Sequence, residues 1–252
     1  MTRLPIAWIA PGSPPHFPPA AQALREPDGL LALGGDLSRE RLLAAYRHGI
    51  FPWYGEDEPI LWWSPDPRCV FDTATLRAGR SLRKQMRGAG WTISIDRAFA
   101  AVMRACAAPR PGQHGTWIIE DMRRAYMDLH RAGHAHSIEV WDGEALVGGL
   151  YGVAVGRVFC GESMFSAVSG GSKVALTCLG RLLHGWDIPL LDAQVGNPHL
   201  YRMGARDMPR RQYLAHLESL ALAAPAPDAF RLDGTWPVRA FESASLRADH
   251  PA

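Results

Sequence analysis

Apolar side chains divide the chain into a short first part and a longer alternating second part. In the first, Leu42, Leu43 and Tyr46 share one side of a helix that Asp36 or Ser38 can cap and Gly49 can end. The preceding stretch, 5–19, crowds prolines into apolar sequence, which predicts an extended arm and excludes a helix. Two aromatic runs follow, Ile50-Phe51-Pro52-Trp53-Tyr54 and Leu61-Trp62-Trp63-Ser64-Pro65, and a boundary is expected near Asp66. That gives a small N-terminal domain, 1–66, and a larger domain, 67–252, ending in a Pro/Ala-rich tail. In the larger part, 91–95 predicts a strand, and Asp96 the cap of a helix carrying Phe99, Val102, Met103 and Cys106. Met122, Ala125, Tyr126 and Leu129 mark the buried side of a second helix. Strands over 137–141, 145–155 and 158–164 are joined by hairpin turns at Asp142-Gly143 and Gly156-Arg157. A glycine loop at 169–172, a helix over 173–184, an apolar strand over 188–194 and a helix over 210–222 complete the pattern. Strand, two helices, three antiparallel strands, helix and strand is the order of the GNAT acyltransferase fold: α+β, a mixed sheet flanked by helices. Fold does not fix chemistry.

With 252 residues, 47% hydrophobic and 21% charged, the chain can bury a core and is neither disordered nor fibrous. No apolar run approaches the roughly 20 residues of a membrane helix. Prolines from Pro5 onward interrupt the N-terminal apolar stretch, so no signal peptide is read and a cytoplasmic location is expected. Cys69, Cys106, Cys160 and Cys178 form no CxxC and read as small buried hydrophobes. Through Asp66 the chain holds 5 basic and 8 acidic residues, a charge of −3; the remainder, with 22 and 17, carries +5. The positive field belongs to the second part.

Several signatures fail on inspection. Ser81-Leu82-Arg83-Lys84 fits SxxK without its companion motifs, and Gly161-Glu162-Ser163-Met164-Phe165 misses the GxSxG elbow at its last position. His130, His134 and His136 straddle a helix end and a strand start, which suits structural roles better than a metal site. A basic stripe is more informative. Arg77, Arg80, Lys84 and Arg87 recur at helical spacing, with Arg83 beside them and no acidic residue between, a face suited to nucleic-acid phosphates. Trp53 and Trp117 sit where a loop can offer a ring to a base, a contact worth about 1–3 kcal/mol. Asp192 and Gln194 lie two apart on one strand and share a face, with Leu191 on the other. A carboxylate accepting from the Gln194 amide would aim its carbonyl oxygen at a primary amine. Simple alternation puts Phe159 and Glu162 on opposite sides, so a bulge at Gly161 is expected to reset the parity. The resulting cleft would have Leu150, Phe159 and Leu179 as apolar walls and Glu162, Asp192 and Gln194 at its mouth.

Long strings carry a family likeness. Asp28-Gly29-Leu30-Leu31-Ala32-Leu33-Gly34-Gly35-Asp36-Leu37-Ser38, Trp62-Trp63-Ser64-Pro65-Asp66-Pro67-Arg68, Phe159-Cys160-Gly161-Glu162-Ser163-Met164-Phe165-Ser166 and Leu191-Asp192-Ala193-Gln194 resemble the bacterial leucyl/phenylalanyl-tRNA-protein transferases. So do Gly49-Ile50-Phe51-Pro52-Trp53, Gly115-Thr116-Trp117-Ile118, Gly148-Gly149-Leu150-Tyr151-Gly152 and the segment 134–141. The resemblance implies transfer of Leu, Phe or, less well, Met from aminoacyl-tRNA to the N-terminal amine of proteins beginning with Arg or Lys, marking them for N-end-rule degradation. It also implies that Trp53 and Trp117 hold the terminal adenosine, that Leu150, Phe159, Leu179 and Leu191 form the side-chain pocket, and that Asp192 and Gln194 meet the reacting amine. Glu162 would face the acceptor's cationic side chain. Departures fall in the loop 109–114, at Gly170-Gly171 and at Gly196-Asn197-Pro198. An aminoacyl ester is already activated, so no metal, cofactor or membrane is called for. The alternatives are a CoA-dependent N-acetyltransferase, whose pyrophosphate loop 169–172 fits only weakly, and a non-catalytic tRNA-binding module.

Overall fold

The computed structural model describes residues 6–109 and 116–242. Its first sheet takes β1 (Ala7–Ile9) and β2 (Leu30–Gly34), followed by helix α1 (Arg39–Arg47) and strands β3 (Phe51–Pro52) and β4 (Leu61–Trp63), in the order β1-β2-β4-β3. Within the described residues the proline-rich arm, 6–19, holds no helix, as its composition predicts, and pairs parallel to β2 through β1, while Pro5 lies outside the described residues. Ser38, rather than Asp36, caps α1 by accepting from Arg41 N. Asp36 instead receives the Gly12 amide and the buried Arg41 guanidinium, fastening the arm.

The second sheet is assembled from β5 (Arg68–Asp72), helix α2 (Arg80–Gly88), β6 (Thr92–Ile95), helices α3 (Phe99–Ala107) and α4 (Glu120–Arg131), and the antiparallel run β7 (Ala135–Asp142), β8 (Ala145–Val155) and β9 (Val158–Ser166). Helix α5 (Gly171–Gly185), β10 (Leu190–Gln194), α6 (Pro198–Arg202), β11 (Arg206–Met208), α7 (Arg210–Leu220) and β12 (Trp236–Pro237) complete it. Its strand order is β11-β5-β10-β9-β8-β7-β6-β12, with β9 and β10 parallel. The architecture is mixed α+β.

One face of this sheet packs Phe99, Tyr126 and Tyr151 into a cluster continuous with Leu42, Tyr46 and Trp62 of the N-terminal elements. The other face packs Phe159, Leu179 and Leu183 with Leu82 and Met86 of α2. Gly148 allows α5 to begin against β8: a Cβ there would lie 2.4 Å from the Gly171 backbone. Asp96 does not cap α3. Helix α3 starts three residues later without a side-chain cap, because the Asp96 carboxylate is taken by Ser137 N at 2.8 Å and His136 Nδ1 at 2.7 Å. All four cysteines are buried. Among the described residues no helix is long and apolar enough to cross a membrane, and no group of three or more His, Cys, Asp or Glu is placed to hold a metal ion.

Candidate active site

Strands β9 and β10 pair as far as Cys160 and Asp192 and then part. Two irregularities drive them apart. On β9, Glu162 is an extra residue between Gly161 and Ser163, opposite Gly152 and Tyr151. On β10, the register against β5 slips between Asp192 and Gln194, and Gln194 takes a left-handed backbone at φ 62°. A cavity of about 420 Å³ opens where they diverge. Leu150, Leu176, Leu179 and Leu191 give it apolar walls, Trp53 and Trp117 each contribute a ring, and Glu162 and Gln194 supply polar atoms.

The bulge therefore exists one residue later than expected, and this changes which side chains meet. Phe159 shares a face with Leu179 and with Leu191, its neighbour on β10, but is fully buried deeper in the second core cluster and does not line the cavity. Glu162 faces the first cluster, where it accepts from Tyr46 Oη at 2.7 Å, Tyr126 Oη at 2.9 Å and Gln194 Nε2 at 2.9 Å. The two tyrosine hydroxyls also hydrogen-bond to each other. Burial pushes both phenols well above their usual range, so they remain donors. Burial also raises the Glu162 carboxyl to about 7, against the pull of the tyrosine hydrogen bonds.

Asp192 is placed differently from the sequence expectation. It accepts the backbone N–H of Gln194 at 2.8 Å rather than the side-chain amide, and it is fully buried behind the cavity. A bidentate ion pair with Arg68, at 2.8 and 2.7 Å, and the Tyr213 hydroxyl at 2.8 Å hold it there. The guanidinium is wedged between the Phe51 and Tyr213 rings and donates to the Gly49 carbonyl at 3.0 Å. Burial alone would favour neutral Arg68, but the Asp192 charge keeps it firmly protonated. The pair thus ties the end of α1, just before Phe51-Pro52-Trp53, to the strand end that carries Gln194.

An ionised carboxylate only accepts, so Glu162 fixes the Gln194 amide with Nε2 inward and leaves Oε1 for a donor from the cavity. The amide is oriented as anticipated, by a different acid. Sequence reasoning missed Tyr46, Tyr126, Arg68 and Tyr213. Spacing offers no signal for them, since Tyr46 lies 116 residues from Glu162 and Arg68 lies 124 from Asp192.

The basic stripe is elsewhere. Arg80, Arg83, Lys84 and Arg87 are exposed on α2, with Arg77 just before it, and none lines the cavity. Arg87 is paired with Glu242, so the C-terminal segment brings an acid to one end of a stripe that is unbroken in sequence.

Residues 70–218 match the family model described as leucyl/phenylalanyl-tRNA protein transferase, and residues 35–66 match that of the family's N-terminal domain. The chain is 59% identical over 240 residues to the leucyl/phenylalanyl-tRNA–protein transferase of Xanthomonas axonopodis pv. citri (strain 306), covering 94% of this chain and 93% of that one. It is 55% identical over 219 residues to the corresponding protein of Xylella fastidiosa (strain M12), covering 86% and 89%. Among solved structures, L-PGS from Bacillus licheniformis aligns at a TM-score of 0.38 and 12% identity over 66% of this chain and 53% of that one, too distant to assign chemistry. The chain belongs to the leucyl/phenylalanyl-tRNA–protein transferase family and is an aminoacyltransferase.

Proposed function

We propose that the enzyme moves Leu or Phe, and less well Met, from aminoacyl-tRNA to the N-terminal α-amine of proteins beginning with Arg or Lys, marking them for N-end-rule degradation in the cytoplasm. The carrying observation is the Glu162–Gln194 pair at the polar edge of a cavity with otherwise apolar walls. Leu150, Leu179 and Leu191 enclose the aminoacyl side chain, while Trp53 and Trp117 hold the terminal adenosine. The basic stripe grips the tRNA phosphates. Phe159 packs behind the pocket, in the same core cluster as Leu150, Leu179 and Leu191. Residues 67–252 act as a GNAT-like catalytic domain, with 1–66 as the smaller domain that carries Trp53.

The ester is already activated, so the reaction needs placement of a neutral amine and passage of one of its protons to the departing oxygen. The acceptor nitrogen attacks the ester carbonyl, forming the N–C bond. The C–O bond to the tRNA ribose then breaks, and the departing oxygen takes the proton that the attacking nitrogen gives up on becoming an amide, leaving as a hydroxyl. Gln194 Oε1 accepts from the attacking amine and aims its lone pair. Glu162, whose carboxyl titrates near 7, takes the proton that the ammonium form must shed; roughly a tenth of an α-amine is neutral at pH 7. Asp192 and Arg68 act behind this pair, as positioning residues.

The test is transfer of labelled Leu from leucyl-tRNA to peptides differing only in the first residue. Incorporation into Arg- and Lys-headed peptides, with Ala-headed peptide left unlabelled, is the expected result. A folded enzyme that labels none of them overturns the reading.

A further inference from the structure

Beside the reaction cavity lies a second one, of about 310 Å³, and the two have the lining residues Phe51, Trp53, Val195 and Gly196 in common. Its own wall carries the carboxylates of Asp28 and Asp207 and the rings of Trp63 and Tyr201. The wall is built closely at Gly196, where a Cβ would fall 1.9 Å from the Tyr201 hydroxyl, so that ring can stand against the end of β10 only beside glycine.

Both carboxylates keep acceptor capacity. Asp207 Oδ1 receives the Tyr201 hydroxyl at 2.7 Å, and the Asp28 oxygens share the Asp66 amide at 3.3 Å. Among the described residues neither has a Lys, Arg or His partner within 4 Å. Two such charges repel RNA phosphates, so the tRNA backbone is the wrong occupant. Aromatic faces beside carboxylates suit a cation on a methylene stem, the stem lying on the rings and the head reaching the acids. Glu162 already accepts from three donors and serves the reacting amine, so the side-chain charge of the acceptor needs other partners.

We propose that this cavity receives the cationic side chain of the acceptor's first residue, with Asp28 and Asp207 as its counter-ions, while the α-amine stands at Gln194 in the adjoining reaction cavity. The inference rests on the aminoacyl transfer proposed above and assigns acceptor choice to residues outside the reaction cavity.

Leucyl transfer to peptides headed by Arg, Lys or citrulline, the neutral analogue of Arg, tests it in the full chain. Asp28→Asn and Asp207→Asn retain the hydrogen bonds to Asp66 and Tyr201, so the fold is kept. Together they should raise the KM for Arg-headed peptide at least tenfold, leave the KM for leucyl-tRNA within twofold and abolish the preference for Arg over citrulline. Glu162→Gln should lower kcat while keeping that preference. A double variant that retains the Arg/citrulline ratio within twofold overturns the site, as does loss of the ratio in Glu162→Gln. Absence of transfer to every peptide by the wild type overturns the reaction and the site together.

Discussion

Arg68→Met strips the partner from a carboxylate with no exposure and removes both charge-assisted hydrogen bonds of the bidentate pair. Breaking one half of a buried pair costs about 3–5 kcal/mol, because the stranded charge has neither water nor a counter-ion. The Tyr213 hydroxyl and the Gln194 amide still point at Asp192 and offset a little of that cost. Adding Asp192→Asn removes the stranded charge while leaving an oxygen to accept from Gln194 N. The double variant is therefore expected to be more stable than Arg68→Met alone, by about 1–3 kcal/mol. Urea unfolding, followed by tryptophan fluorescence and compared through the midpoint at constant slope, reads this directly. A double variant less stable than Arg68→Met would show that the Asp192 charge is satisfied without Arg68, and the clamp between Gly49 and Gln194 would lose its physical basis.

Three further outcomes are expected. The kcat of leucyl transfer should rise with pH about a midpoint near 7 as Glu162 ionises, and Glu162→Gln should remove that limb; a limb that survives assigns it to another group. Because Glu162 holds its proton more tightly in the folded than in the unfolded chain, its contribution to stability is full below about 4.5 and is lost as pH rises through 7. Glu162→Gln should accordingly flatten the stability profile across that window in thermal melts. Arg80→Ala with Lys84→Ala should weaken every aminoacyl-tRNA alike and reduce the salt slope of binding by about 1 to 2; an unchanged slope removes α2 from the tRNA path.

The elements of the larger sheet were legible because their apolar periods are long: Met122 to Leu129 at helical spacing, and strands separated by glycine turns. The site was legible in part. Glu162, Gln194, Leu150, Leu179, Leu191, Trp53 and Trp117 do come to one cavity. Phe159, buried deeper in the cluster that supplies the apolar walls, and Asp192, held behind the cavity by Arg68 and Tyr213, do not line it. Period-2 reasoning assumes an unbroken pleat, and both strands break theirs at the site, at Glu162 on β9 and between Asp192 and Gln194 on β10. Asp96 shows the same limit at a helix start: an acid with a better partner across the sheet, Ser137 N and His136, does not cap. The buried partners Tyr46, Tyr126 and Arg68 come from elements distant in sequence, and only their burial in the assembled fold marks them.

The account stands on aminolysis driven by placement of the amine, and single-turnover transfer by Gln194→Ala examines that claim most directly. With leucyl-tRNA and Arg-headed peptide both saturating, the rate of peptide-bond formation should fall about 100-fold, while the Kd for leucyl-tRNA stays within twofold. An undiminished rate, or a loss of tRNA affinity that matches the loss of rate, would contradict it.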